Sequence, residues 1–299
     1  MLLGRPSGLQ AHPPARDAAK EDTMAVIAMT REMATRGSEV ARGLATRLGL
    51  AIVHHEIVEH DIAARAGMPE SEVHRFLEGE TSMLERWTLD RKRMSRYTAQ
   101  EILELAVKGN VLIRGWGASY LLRSIPHVIC VRICAPMLFR ERVLMERLGV
   151  GIAANARREI ERSDAAHNGT MQRLFGIDWG DPSLYAIVLN TARVPVQDCV
   201  EHIVRLAESS TFQETARSRN VLMDQVILFR ARAAMDRRFG AKSIQNCIDV
   251  HVLSGKVLLT GATTDQQMIV DAVRLLQGVE GVTTVESKVA HVAFVPHAD

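Results

Sequence analysis

Between residues 24 and 49 the chain runs from a short apolar stretch, Met24-Ala-Val-Ile-Ala-Met29, through a polar loop with one glycine into a segment where Val40, Ala41, Leu44, Ala45 and Leu48 recur at helical spacing before Gly49. An apolar run of that length reads as a strand buried on both faces, the repeat at three and four residues as an amphipathic helix, and the glycine as its stop. Strand, short loop, helix is the opening unit of a parallel α/β sheet. The rest of the chain must therefore supply more strands of the same kind and helices to cover them.

It does so as far as about residue 210. Ala51 to Val53 reads as a second strand, and Glu56 to Ala66, Glu70 to Leu77 and Thr98 to Lys108 as helices, with a heavily charged stretch from Glu80 to Arg96. Val111-Leu-Ile113, closed by Gly115-Trp-Gly117, and His127 to Cys134, closed by Ala135-Pro136, read as central strands. Phe139 to Arg173 is charged with few breakers and reads as solvated helices projecting from the sheet. Tyr185 to Asn190 is one more strand and Val196 to Ser209 a final helix. Polar residues 211–220 read as a linker. Beyond it come a helix over Val221 to Arg238, the alternating Cys247-Ile-Asp-Val-His-Val-Leu253, a turn at Ser254-Gly255, a return strand over Val257 to Thr260, a helix over Asp265 to Leu276 and a last strand over Val282 to Phe294. The sequence thus divides into a leader (1–23) expected to be disordered, a first domain (24–210), the linker and a second, smaller domain (221–295), with Met24 as an alternative start.

Composition narrows the function classes. At 299 residues and 47% hydrophobic the chain can build two cores, and 37 basic against 35 acidic side chains create no overall field for nucleic acid or an anionic membrane. No apolar stretch approaches the roughly 18 residues a membrane helix needs, and residues 1–23 lack the apolar segment of a secretory signal. Cys130, Cys134, Cys199 and Cys247 form no close pair of the kind zinc or redox sites use. Cys130 and Cys134 fall on one face of a strand and read as core residues. A reducing cytoplasm suits that usage.

The loop after the first strand, Thr30-Arg-Glu-Met-Ala-Thr-Arg-Gly-Ser-Glu-Val-Ala41, occupies the place where a phosphate-binding loop would cradle anionic oxygens in backbone N–H groups at a helix N-terminus. It has one glycine and no lysine, so it fails the GxxxxGK[ST] pattern. It resembles instead the first loop of the cytidylate kinase-like family, approximately S-R-E-Y-G-S-G-G-R-E-I-A, with Arg31, Glu32, Gly37, Glu39 and Ala41 matching. Leu48-Gly-Leu50 and Glu56, the Gly115-x-Gly117 turn, Ala135-Pro136 with Phe139-Arg140, and Asp178-Trp-Gly-Asp-Pro-Ser-Leu-Tyr185 with Val188-Leu-Asn-Thr191 continue the resemblance in order over roughly Met24 to Leu206. The resemblance implies a P-loop-kinase-like parallel sheet flanked by helices, with ATP and Mg²⁺ as cofactors and a nucleoside monophosphate of the CMP type as acceptor.

Its site residues carry over position by position. Arg31, Glu32, Gly37 and Ser38 fall where the cofactor's phosphates would bind; His54, Gly115, Trp116, Gly117 and Arg162 fall on the acceptor side; Arg36, Arg140 and Asp164 are the candidate catalytic residues. The departures fall in the same places. Two loop glycines of the family are Ala34 and Arg36, the loop's basic residue is Ser38, the arginine of the G-R-G turn is Trp116, an acidic residue near the second strand is His54, and the D-x-x-R of the lid region ends in His167. Phosphoryl transfer relies on positioning and on cations that neutralise the transferring group, so each loss bears on rate. Arg36 is a candidate substitute cation, and Arg31, Arg140, Arg142, Arg157, Arg158 and Arg162 are available to phosphates or serve as solvated helix faces. Trp116 reads either as a stacking surface for a base or as packing at a strand end. The turn over Asp178 to Pro182 reads either as a capping device or as a ligand contact. His54, His55 and His60 have spacings that could converge on a metal, but no cysteine or paired carboxylate lies near, and no metal site is assigned.

Roughly Val221 to Phe294 resembles a BON domain, a small α+β unit, on Ile248-Asp-Val-His-Val252, the hairpin Ser254-Gly-Lys-Val-Leu-Leu-Thr-Gly261 and Gly278-Val-Glu-Gly-Val282. That resemblance implies a protein or lipid partner and no catalysis. Two functions follow from the sequence: a kinase-like nucleotide-binding protein that transfers phosphate from ATP to a nucleoside monophosphate despite its altered loop, or a catalytically impaired regulatory protein that reports ligand state through the BON-like unit.

Overall fold

The structure is a computed structural model and describes residues 25–53, 88–115, 117–149, 153–240 and 248–292. His54, Trp116, Cys247 and the helices read over residues 56–66 and 70–77 lie outside the described residues, as does the leader. The first strand, β1 (Val26–Arg31), is buried on both faces over its first five residues, and α1 (Gly37–Leu48) follows it. Then come β2 (Ala51–Val53), α2 (Thr88–Lys108), β3 (Val111–Arg114), α3 (Ala118–Leu122), β4 (Val128–Cys134), α4 (Met137–Leu148), α5 (Ala153–Phe175), β5 (Ile187–Asn190) and α6 (Val196–Glu208). All five strands are parallel in the order β2-β3-β1-β4-β5. Parallel strands need a crossover between them, and helices on both faces supply it, which is why the strands read as continuous apolar runs.

One face of the sheet packs Ile27, Met29, Leu112, Val131 and Ile133 against Val40 and Leu44 of α1 and Val200 and Ile203 of α6. The other packs Val26, Ala28, Ile113 and Cys130 against Ile102 and Leu103 of α2 and Leu122 of α3. Cys130 is buried, with its thiol pushed up to about 12 by that burial, and Cys199 is buried on α6, whereas Cys134 is partly accessible. Among the described residues no helix is long and apolar enough to cross a membrane.

Residues 211–220, read as a linker, contain the end of a 3₁₀ turn and the start of α7 (Ala216–Phe239). That start was hidden because it is marked by capping rather than by apolar periodicity: Ser218 N–H donates to Thr215 Oγ1 (3.1 Å) and Thr215 N–H to Ser218 Oγ (2.9 Å). The second sheet holds β6 (Asp249–Leu253), β7 (Lys256–Thr263) and β8 (Thr284–His291), with α8 (Gln266–Gln277) between the last two. β6 and β7 form the expected antiparallel hairpin, and β8 joins β7 in parallel. Both turn residues, Ser254 (φ 50°) and Gly255 (φ 73°), are left-handed, as a two-residue hairpin of this hand requires. Their N–H groups donate to the Asp224 carboxylate of α7 at 2.7 and 2.8 Å. α7 serves both cores, since Leu222 and Val226 pack with α2 on the large sheet while Ile227, Ala231 and Met235 pack beneath the small one.

Candidate functional site

The loop from Arg31 to Gly37 leaves the carboxyl end of the central strand and enters α1. Ala34 (φ 59°) and Arg36 (φ 55°) are both left-handed. These are the two positions where the related loop pattern has glycine, and a side chain there costs about 1 kcal/mol in backbone strain. The loop keeps its path because its surroundings pin it. The Thr35 hydroxyl donates to Glu32 O (2.8 Å), Thr191 Oγ1 at the end of β5 donates to Thr35 O (2.7 Å), and Ala34 packs against Leu144, Ala156 and Ile160. α1 begins at Arg36 without a side-chain cap, so its first N–H groups remain available to an anion.

Arg31 lies across that helix start. A Cβ on Gly37 would stand 2.9 Å from Arg31 Cβ and 3.0 Å from its Cδ, so glycine is what lets the arginine stem cross there. The Arg31 guanidinium is lowered to about 10 by burial, then by the neighbouring charges of Arg114 and Arg147. An arginine destabilised by burial and by like charge is a position where an anion is favoured. Arg36 instead turns outward, 3.8 Å from the Glu146 carboxylate and 5.8 Å from the centre of the Phe139 ring.

Beneath the loop is a network of buried charge. Glu32 accepts from Arg132 Nη2 (2.6 Å) and from Ala135 N–H (3.2 Å), and Arg140 Nη1 approaches its other side at 3.5 Å. Arg140, 4% exposed, donates from Nε to Met33 O (2.7 Å) and from both terminal nitrogens to the Asp164 carboxylate of α5 (2.8 and 2.7 Å). Its donors are thus committed to holding the loop against α5. Paired bidentate geometry is what allows such charges to be buried.

Beside the loop, on the α3 side of the sheet, a small cleft of about 10 Å³ is lined by Thr30, Tyr120, His167, Trp179 and Tyr185 among others, with Gly117 at its edge. A Cβ on Gly117 would sit 2.5 Å from Phe175, so the close approach of α3 to α5 requires glycine there. The Trp179 ring stands 4.5 Å from His167 and 4.6 Å from the Arg132 guanidinium. Burial, and the positive charges of Arg132 and Arg31, lower His167 to about 4 against the opposing pull of Asp164. Three aromatic rings, Tyr120, Trp179 and Tyr185, are among the lining. The turn before the cleft serves its own structure: Asp178 accepts from Gly180 N–H and Asp181 from Ser183 N–H, both at 2.8 Å. Its Trp179 and Tyr185 face the cleft.

Of the residues singled out in the sequence, Arg31, Glu32, Arg36, Gly37, Ser38, Arg140 and Asp164 are gathered in and around the loop, Gly115 ends β3 beside it, and Gly117 borders the cleft. Arg162 is exposed on α5. His54 and Trp116 lie outside the described residues. Arg132 and the Trp179–His167 pair were not anticipated. Arg132 is one charged residue in an otherwise apolar strand, and that interruption was the available signal.

A five-stranded parallel sheet in this order, flanked by helices, with a loop running from β1 into α1, matches the fold of P-loop kinase-like α/β proteins. Residues 26–193, more than half of the chain, match the cytidylate kinase-like family, and the chain belongs to it. It is 28% identical over 177 residues to a cytidylate kinase of Pyrobaculum aerophilum and 27% identical over 177 residues to that of Pyrobaculum calidifontis, in each case covering 59% of this chain and 89% of the relative. A crystallised protein from Eubacterium ventriosum aligns over 62% of this chain and 98% of its own at 19% identity and a TM-score of 0.49.

Proposed function

We propose that the chain binds ATP at the Arg31–Gly37 loop and transfers its terminal phosphoryl group to a nucleoside monophosphate, of the CMP type, seated toward the aromatic cleft. The observation that carries this reading is the retention of left-handed turns at Ala34 and Arg36 although neither is glycine, because strain held in place at one loop points to a function for its path. Gly37 and Ser38 N–H groups and the Arg31 guanidinium meet the phosphates, and Arg31 supplies the positive charge that the loop's missing lysine would have brought. Arg36 contributes by leaving Glu146 for the nucleotide. Arg140 and Asp164 hold the loop at its working distance from α5. His54, Gly115, Trp116, Gly117 and Arg162 remain the acceptor-side positions implied by the family, with Gly117 already at the cleft.

Among the described residues there is no group of three acidic, histidine or cysteine side chains able to hold a metal alone. Mg²⁺ would arrive on the nucleotide's own phosphates with most of its water, as it commonly does. The ion would neutralise charge on the transferring group.

A second reading is favoured by α7, which belongs to both cores: a nucleotide sensor with impaired catalysis, in which the BON-like unit meets a protein or lipid partner in the cytoplasm. A coupled assay with ATP, Mg²⁺ and each nucleoside monophosphate separates the two. Turnover that falls at least about tenfold in Arg31→Ala and Arg36→Ala supports transfer at this loop. Turnover that neither substitution changes removes the site assignment. Absence of turnover with a nucleotide-dependent rise in melting temperature supports the sensor, and no shift with any nucleotide overturns both readings.

A further inference from the structure

We propose that Arg132 is a positioning residue that ties the aromatic wall of the cleft to the phosphate loop, so that occupation of either is felt at the other. The proposal rests on the nucleotide reading only for its binding measurement.

Arg132 is 8% exposed in β4, opposite Thr30 of β1, and its strand neighbours are Val131 and Ile133. Packing alone does not call for a cation there, since buried ion pairs replaced by apolar side chains of similar volume often leave stability unchanged or raise it. What the cation does is reach two segments far apart in sequence. Nη2 donates to Glu32 Oε1 at 2.6 Å, at the root of the phosphate loop. Nη1 donates to the carbonyl of Trp179, while the guanidinium lies over the Trp179 ring at 4.6 Å. Tyr185 Oη donates to the same carbonyl at 2.7 Å. Arg132 therefore fixes both the backbone and the ring that line the cleft.

The contacts close into a circuit. Trp179 rests on His167, and His167 and Asp164 are three residues apart on one face of α5. Asp164 grips Arg140, and Arg140 holds Met33 O and approaches Glu32. Loop, strand, turn and helix are thus joined through two arginines. A ligand that moves Trp179 moves Arg132, and with it the carboxylate of a residue whose own carbonyl is bonded to Thr35.

Hydrogen exchange on the ligand-free full chain tests the link directly. Glu32→Gln, a change at the loop, is expected to speed exchange across 178–185 about tenfold, and Trp179→Leu, a change at the turn, to speed it across 32–37. Thr191→Val, which loosens the loop from its far side, should leave 178–185 unchanged. Exchange at each segment indifferent to substitution at the other overturns the proposal, and neither outer variant removes Arg132 itself, so a misfolded Arg132→Met would not obscure the result. The second measurement titrates CMP in the presence and absence of a non-hydrolysable ATP analogue. The native protein should bind each at least about fivefold more tightly when the other is present, and Arg132→Met should bind them independently. A purely structural arginine would lower stability but leave that ratio intact, and an intact ratio overturns the proposal. If the native protein binds neither nucleotide, the functional reading falls and the exchange measurement alone decides the role of Arg132.

Discussion

The large sheet and the small one treat charge in opposite ways although α7 is built into both. At the carboxyl ends of β1 and β4, Glu32 bonds Arg132, and Arg140 bonds the partly covered Asp164 and approaches Glu32 at 3.5 Å. The core under the small sheet is made of Ile227, Ala231, Met235, Val250, Val257, Leu259, Ala272 and Leu276, and among the described residues no charged side chain is fully buried there: Arg232 is only partly covered and the Lys288–Glu286 pair is exposed. Charge is expensive to bury and little is gained from it in stability. On the proposed function, the buried charge at the large sheet serves the loop, while the small sheet's core serves packing.

Substitutions can break that contrast. The largest loss of stability is expected in the small sheet's core, where Leu259→Ala removes a side chain with no exposure and should cost about 3–4 kcal/mol by chemical denaturation, with hydrogen exchange at residues 30–37 unchanged. Asp164→Ala should cost somewhat less, about 3 kcal/mol, because Arg140 loses both bonds to its carboxylate while keeping Met33 O. Its exchange signature should be the reverse, concentrated in the loop. If Leu259→Ala loosens the loop as strongly as Asp164→Ala does, the division between packing and chemistry is wrong.

The same contrast explains what the sequence made legible. Apolar runs and helical spacing located β1, β3, β4, β5, α1, α6 and the hairpin to within a few residues, because those signals come from burial that each segment carries by itself. The loop positions were legible too, since Arg31, Glu32 and Gly37 sit in one short stretch beside a strand. The charge network was not. Glu32 meets Arg132 across 100 positions and Arg140 meets Asp164 across 24, and a contact made by strand adjacency leaves no local trace. Arg140 shows the limit most clearly. A position matched to a family motif gave a residue type, and only the fold revealed that its donors already have acceptors.

The next expected effect is on pH dependence. His167 takes a proton near 4 in the folded protein against an ordinary value of 6.5. Between those values the unfolded chain binds a proton that the folded one refuses, so stability falls as pH drops from 6.5 toward 4 and the dependence on this group ends below it. Melting temperatures across pH 7 to 5 should therefore fall less steeply in His167→Gln than in the native chain. His127, also lowered by burial but at the amino end of β4 near Glu214, adds a slope of the same sign, and His127→Gln measures its share. Equal slopes in His167→Gln and the native chain would mean that the histidine beside Trp179 is not desolvated by the cleft.

The smallest effect has the sharpest sign. Arg36→Gly relieves a left-handed residue and gives up an exposed ion pair to Glu146 at 3.8 Å and a contact over the Phe139 ring at 5.8 Å. Such a pair contributes little in water, while glycine adopts that backbone without penalty, less what it adds to the freedom of the unfolded chain. Stability should rise by up to about 1 kcal/mol. Nucleotide affinity should move the other way, because the same change removes a cation from the mouth of the loop. A variant that is both more stable and a weaker binder would mean that the arginine is kept at this strained position for its charge. A variant that gains stability and binds as before would leave the loop's path, and not this side chain, as the feature that the nucleotide uses.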